Sequence, residues 1–427
     1  MSVLGQPLRI GGTTTTRNRL YRAPVLEGAG DGDDCAAAYA KAFVPNAEAG
    51  VGLIIQGSSC IYPEGRSSPG MTLVHTRERV QRLAPMVDAV HAAGAAIWLQ
   101  IGHAGLFSME AWHEPYASAR AGPLLAPSSV RWYLKPVFRR APVHPMTTDE
   151  VHAMCDRYGV VAAWAREAGY DGVQLGSSNA KLLDQFLSPF YNRRDDEFGG
   201  SLENRARVLQ VIRARVAERA GADFTCTVKV PVGEKAPPLT PHTTWDEGLR
   251  LAMLCEDYGF DSLTPVGVSV FPDTTLSRGD VPKFWDNKAM LSRFEAAAPR
   301  RFEREVLRAG YVVGGRGAPF APVWNRTRFE GVKRLVRVPV LAVGGIRTGD
   351  EVRGILDSGH ADLVGIGRPF YAEPDLPRRI LGDGDGDDTG LCRNSNRCVA
   401  AQMLGMKGVC YNPEVVRLRA GGGNTRQ

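Results

Sequence analysis

The chain predicts an α/β fold of the (β/α)8 TIM-barrel type. Three observations predict it. Apolar runs alternate with amphipathic runs eight times along the sequence. The apolar runs are near-continuous rather than alternating, as in parallel strands buried on both faces. The 427 residues are long for one domain, but α/β barrels routinely run long as a single unit.

In order, the strand candidates are Arg19–Val25, Val51–Ser58, Ala95–Ile101, Asp171–Gly176, Phe224–Val230, Ser262–Val266, Val338–Gly344 and Asp362–Gly367. Helical patterns separate most of them. Thr76–Ala93 places Val80, Leu83, Val87 and Val90 on one face, and Thr147–Ala168 does the same with Val151, Met154, Tyr158 and Val161. Thr348–Ser358 opens on a capping-type threonine and stops before Gly359. Ser201 marks a further helix start. Two segments exceed a minimal barrel: a Pro-, Arg- and Trp-rich loop, Phe107–His144, after strand three, and an insertion, Ser269–Asn325, after strand six. Both follow strand C-terminal ends, where barrel enzymes place their sites. They read as a lid or pocket wall, or equally as a surface embellishment or subunit contact. The organisation expected is a barrel over 1–380, with the insertion at about 269–325. A Cys-containing extension over 381–420, a disordered tail over 421–427 and no further domain after Pro374 complete it.

Composition is that of a globular protein, 44% hydrophobic and 23% charged. The net charge of +6 is spread along the chain, and only nine of its basic residues are lysines. No basic stripe with interleaved aromatics points to nucleic acid. No apolar run approaches the roughly 20 residues that span a bilayer, and Met1–Thr16 lacks a signal-peptide pattern. A cytoplasmic enzyme acting on a small molecule is expected, with self-association left open. Cys35, Cys60, Cys155, Cys226 and Cys255 lie in apolar segments and read as small core residues.

Several short motifs bear on chemistry. Val343-Gly344-Gly345-Ile346 ends strand seven, and Gly365-Ile366-Gly367-Arg368 ends strand eight. Glycines there let backbone approach an anion closely, Arg368 adds charge, and barrels bind phosphate between these two loops. Gly28-Ala29-Gly30-Asp31-Gly32 lacks the spacing of a dinucleotide fingerprint. Gly382–Asp388 lacks the sixth-position glycine and final glutamate of a calcium loop. Lys229, inside the apolar run Val228–Pro231, is costly to bury unless it meets an anion.

The order and spacing of further segments are highly specific. They are Asn18–Pro24, Gly52–Ser58, Gln100-Ile101-Gly102-His103-Ala104-Gly105, Ala168–Arg205 and Ser201-Leu202-Glu203-Asn204-Arg205. Together they resemble the Old Yellow Enzyme, or NADH:flavin oxidoreductase, family from Leu4 to about Pro413. The similarity runs closest to its dienoyl thioester reductase and trimethylamine dehydrogenase-like branch, without the extra domains of the longest relatives. The resemblance implies a barrel carrying non-covalent FMN. It implies that Gln100 hydrogen-bonds the isoalloxazine ring, that Pro24, Val25 and Ser58 surround its polar edge, and that Lys229 lies beside N1. It places Gly344, Gly345, Gly367 and Arg368 at the phosphate. NAD(P)H would reduce the flavin, and flavin N5 would pass hydride to an activated alkene.

Three positions depart from the family pattern. Where the family carries His, then Asn or His, then a proton-donating Tyr, this chain has Gly176, Asn179 and Lys181. Asn179 is expected to bind the activating group. Lys181, protonated at neutral pH with a reference pKa of about 10.4, is expected to act in the pocket. An atypical substrate preference follows. The alternatives are a flavin-dependent dehydrogenase or demethylase of the trimethylamine dehydrogenase type, and a flavoprotein that has lost catalysis. Cys392, Cys398 and Cys410 keep the spacing of the cluster-bearing relatives, but Ser395 stands at the second ligand position. Clusters take four thiolates, so a [4Fe–4S] centre is not expected and these cysteines are read as degenerate ligands.

Overall fold

The computed structural model describes residues 2–30, 32–110, 112–138, 140–271, 276–382 and 388–422. Eight parallel strands form one sheet: β1 (Leu20–Arg22), β2 (Leu53–Cys60), β3 (Ala96–Gly102), β4 (Gly172–Leu175), β5 (Thr225–Lys235), β6 (Ser262–Ser269), β7 (Leu341–Val343) and β8 (Leu363–Ile366). Their hydrogen-bonded order runs β6-β5-β4-β3-β2-β1-β8-β7. A parallel bridge from Leu263 to Val340 joins the two ends and closes the barrel. All eight expected strands are present. Four of them are shorter than their apolar runs, because pairing stops before those runs do, while β5 and β6 extend beyond theirs.

The bottom of the barrel is plugged. An antiparallel hairpin, Leu8–Ile10 with Thr14–Thr16, lies under the N-terminal ends of the strands. The Trp98 indole donates to Thr14 Oγ1 at 2.8 Å, and the Thr225 hydroxyl donates to the Ile10 carbonyl at 2.9 Å. Ile10, Trp98, Leu53, Leu341 and Leu363 fill the interior above it. Any binding site on the barrel axis must therefore open at the opposite, C-terminal face.

Helices pack the outside, and their starts are written in the sequence. Thr147, Thr244 and Thr348 each take the N–H three residues on, while a glutamate at that position reaches back to the threonine N–H. Each such cap contributes about 1 kcal/mol. The segment expected as one helix, Thr76–Ala93, is two: Arg77–Gln81 and Ala84–Ala92. Pro85 sits at the start of the second, where its missing N–H breaks the ladder of the first.

The insertion is helical. Lys288–Ala297 and Arg301–Arg316 precede the barrel helix Arg326–Lys333. Phe284, Met290 and Phe294 pack with Ala400, Ala401 and Leu404 of the C-terminal segment, and Trp112 of the loop after β3 joins them. Insertion, loop and C-terminal segment thus share one apolar cluster. Of the tail expected to be disordered, Gly421 and Gly422 end the helix Pro413–Gly422, and 423–427 lie outside the described residues. Of the calcium-like loop, 383–387 also lie outside them.

Candidate active site

A cavity of about 1000 Å³ opens at the C-terminal ends of the strands. Pro24, Val25, Ser58, Asn179, Lys181, Lys229, Gly344, Gly345, Gly367 and Arg368 all line it. Ten expected site residues, drawn from six strands or the turns after them, therefore converge on one space. Gln100 is not among the described lining residues. It is buried, its amide donates to Gln174 Oε1 at 2.8 Å, and Gln174 donates in turn to Thr264 Oγ1 at 3.2 Å. Thr264 does reach the cavity.

The glycine turns are obligatory. Gly345 holds φ +83°, and a Cβ there would stand 2.6 Å from the Ala321 carbonyl oxygen. No L side chain fits that conformation and that space together. Trp324 packs against both Gly344 and Gly345, and the Arg278 guanidinium stacks on its ring at 4.3 Å. Arg368 is fixed from two sides: it donates to Asn396 Oδ1 and to the Arg278 carbonyl oxygen.

The Lys229 side chain extends from β5 into the cavity, and its ammonium has no hydrogen-bond or ion-pair partner among the described residues. Burial lowers its ammonium to about 8. An unpaired buried cation calls for an anionic ligand.

The turn after β4 is strained. Asn179 and Ala180 both hold left-handed backbone, at φ +59° and +53°, which costs roughly 1–2 kcal/mol per residue outside glycine. Buried hydrogen bonds hold it. The Ala180 N–H donates to Asp184 Oδ2 at 2.7 Å, and Gln185 Nε2 donates to the Ala180 carbonyl at 2.6 Å. Gln185 Oε1 also accepts the Leu106 N–H at 3.3 Å, tying the turn to the loop after β3. Burial, then the nearby Glu234 carboxylate, raises the Asp184 carboxyl well above its ordinary value. Lys181 follows this turn as the N-cap residue of the helix Leu182–Leu187. Burial lowers its ammonium, and Glu110 acts in the opposite direction.

The sequence reading missed Glu110, Trp112, Phe138 and Arg140, which the long loop brings to the cavity, and Phe302, Glu303, Leu307 and Tyr311 from the insertion. Arg140 bridges Glu114 at 3.0 Å and Glu303 at 3.1 Å, joining loop to insertion. The one available signal was an acid, Glu110, set between Leu106-Phe107 and Trp112.

The profile of the NADH:flavin oxidoreductase / NADH oxidase family matches residues 3–244 and 316–383. The chain belongs to this family. The match omits 245–315, so the helix Arg301–Arg316 that walls the cavity lies outside the shared pattern except at its last residue. The chain is 29% identical over 415 residues to an N,N-dimethylglycine/sarcosine dehydrogenase of Chromohalobacter salexigens, covering 95% of this chain and 52% of that protein. It is 32% identical over 333 residues to 12-oxophytodienoate reductase 1 of Oryza sativa subsp. japonica, covering 77% and 73%. It therefore spans about half the length of the dehydrogenase and nearly three quarters of the rice reductase. Among solved structures, the Old Yellow Enzyme homologue from Zymomonas mobilis superposes with a TM-score of 0.65 at 23% identity, over 96% of this chain and 98% of that one. Its likeness bears on the fold alone.

The family is described by that name as one of NADH:flavin oxidoreductases. No helix among the described residues is long and apolar enough to cross a membrane.

Proposed function

We propose that this protein is an FMN-dependent oxidoreductase that uses NAD(P)H to reduce an activated alkene. The unpaired Lys229 ammonium in a cavity framed by the Gly344-Gly345 turn and Arg368 carries this reading. These groups fit the cofactor: two cations for its anionic parts, beside glycine turns that bring backbone to the cavity wall. When bound, FMN supplies hydride transfer at N5.

The protein's own residues do the rest. Arg368, held by Asn396, would hold the phosphate. Lys229 would balance negative charge at the polar edge of the ring. The Asn179 amide donates a hydrogen bond to the substrate's activating oxygen, from a backbone turn that is rigid before substrate arrives. Lys181 donates a proton to the substrate carbon. Phe107, Phe138, Phe302 and Leu307 line the cavity with apolar surface and thin the water around the reacting carbon. Loss of one hydrogen-bond donor to a developing oxyanion typically costs about 10²–10³ in rate. Simple enones should therefore be poor substrates here.

Anaerobic half-reactions test the reading. NAD(P)H should bleach the flavin, and candidate alkenes should reoxidise it. Lys181→Ala should slow reoxidation far more than bleaching, and equal rates for both proteins would remove Lys181 from the mechanism. The similarity to the dimethylglycine/sarcosine dehydrogenase supports a second reading, in which electrons run from substrate to flavin. Bleaching by an N-methylated amine without NAD(P)H would select that reading. Bound flavin with neither reaction would mark a flavoprotein without catalysis.

A further inference from the structure

The cavity wall carries an acid, Glu110, that has no role in the reaction proposed above. Glu110 comes from the loop after β3, and its backbone is pinned. Met109 before it is left-handed at φ +48°, the Met109 N–H donates to the Arg66 carbonyl at 2.8 Å, and Arg120 donates to the Met109 carbonyl at 2.8 Å. The His113 N–H donates to the Glu110 carbonyl at 2.9 Å. A surface loop seldom fixes one residue this tightly unless its side chain has a place to be.

That place is the cavity wall shared with Lys181. The two groups act on each other electrostatically, yet they form no ion pair within 4.0 Å, and neither carboxylate nor ammonium has another partner among the described residues. Opposite charges thus line one cavity with space left between them. The other titratable neighbours are neutral near pH 7. The Cys60 thiol is pushed up to about 12 and His103 is pushed down to about 3, both by burial. Beside Glu110 stand the Tyr116 and Tyr311 phenols, both raised by burial. Glu110 is therefore the carboxyl whose charge acts on Lys181 across the cavity they share.

We propose that Glu110 is a positioning residue for Lys181, keeping its ammonium charged and aimed into the cavity as the proton donor. This rests on the role given to Lys181 above. In the step it supports, one N–H bond of the ammonium breaks and its electron pair stays on Nζ. The proton forms a C–H bond with the electron pair released from the alkene as hydride adds to the other carbon. The neutral amine beside Glu110 then regains a proton from solvent. Burial lowers Lys181 and raises Glu110, so each favours its neutral form more than in water. The attraction between them opposes both changes.

Competitive trace acetylation across pH, read at each lysine by mass spectrometry, tests the pairing without any turnover. Only the neutral amine reacts, so the profile reports the midpoint of Lys181 directly. Glu110→Gln should lower that midpoint and speed Lys181 labelling roughly tenfold at a fixed pH below it, the effect of losing one nearby opposite charge. Glu110→Asp should keep the parent profile. Lys229, whose low midpoint comes from burial alone, should not move and serves as the control. An unchanged Lys181 profile in Glu110→Gln, or equal changes at Lys181 and Lys229, would overturn the proposal. Failure of every alkene to reoxidise the flavin would count against the proposed reaction and leave this readout intact.

Discussion

Lys229 shows how one residue's surroundings fix its role. Burial lowers it to about 8, so between there and the ordinary lysine value of about 10.4 the folded protein binds fewer protons than the unfolded chain. Without an anion, this group therefore destabilises the fold below about pH 8, and the penalty fades as pH rises through that window. With an anionic ligand the sign of the benefit is opposite. Binding is full while the ammonium is charged, and weakens above about pH 8. We expect the flavin midpoint potential of Lys229→Met to fall by about 30 mV or more, a tenfold or greater loss in the two-electron equilibrium. The parent's advantage over the variant should shrink as pH is raised past 8. Spectroelectrochemistry at several pH values measures this, and equal potentials throughout would deny Lys229 its role. Lys229 and Arg368 were legible because one is a lysine inside an apolar strand run and the other follows a glycine turn at a strand end, whereas Asn179 and Lys181 were named through the family resemblance. Glu110 and Tyr311 were not legible, because loop and insertion carry no periodicity that says which side chains turn inward. Gln100 was named only through the family resemblance, and its hydrogen bond to Gln174 appears only when β3 and β4 pair.

At the scale of elements, the strained turn after β4 depends on its buried hydrogen bonds. Asp184 lies in an apolar run, Leu182–Leu187, and one of its carboxyl oxygens has no partner. The other holds the Ala180 N–H in the left-handed turn. Asp184→Ala would leave that buried donor without an acceptor, at a cost of about 1–3 kcal/mol. A lower melting temperature, together with a raised KM for any substrate bound by Asn179, is the expected result. A variant as stable and as active as the parent would show that the turn holds without it. All eight strands were readable, since strands buried on both faces leave long apolar runs. Thr caps located the helix starts within a residue. The break at Arg82–Leu83 escaped the helical period, because the apolar face continues across it while Pro85 removes a donor.

Across the whole molecule, the C-terminal segment braces the site. Asn396 accepts from Arg368 and donates to the Ser277 and Asp280 carbonyls at 2.7 and 2.8 Å, linking the turn after β8 to the start of the insertion. Cys392, Ser395, Cys398 and Cys410 line a second, small cavity of about 20 Å³ beside it, room for one water. Burial raises the Cys398 thiol to about 11, and Arg368 works against that rise. No group of three or more metal-ligating side chains is poised for an ion among the described residues. Protein purified without oxygen should contain no stoichiometric iron or acid-labile sulfide, whereas about four irons per chain would show that three cysteines and Ser395 suffice. Ser395→Cys gaining iron would identify a site that lost its cluster by one substitution.

The central claim is that the cavity holds FMN between Arg368 and Lys229, and the visible spectrum of the purified protein tests it most directly. The expected result is a flavin band near about 450 nm, one FMN per chain released by heat or acid, and weaker retention in Arg368→Ala. Colourless protein that takes up no FMN on reconstitution would contradict it.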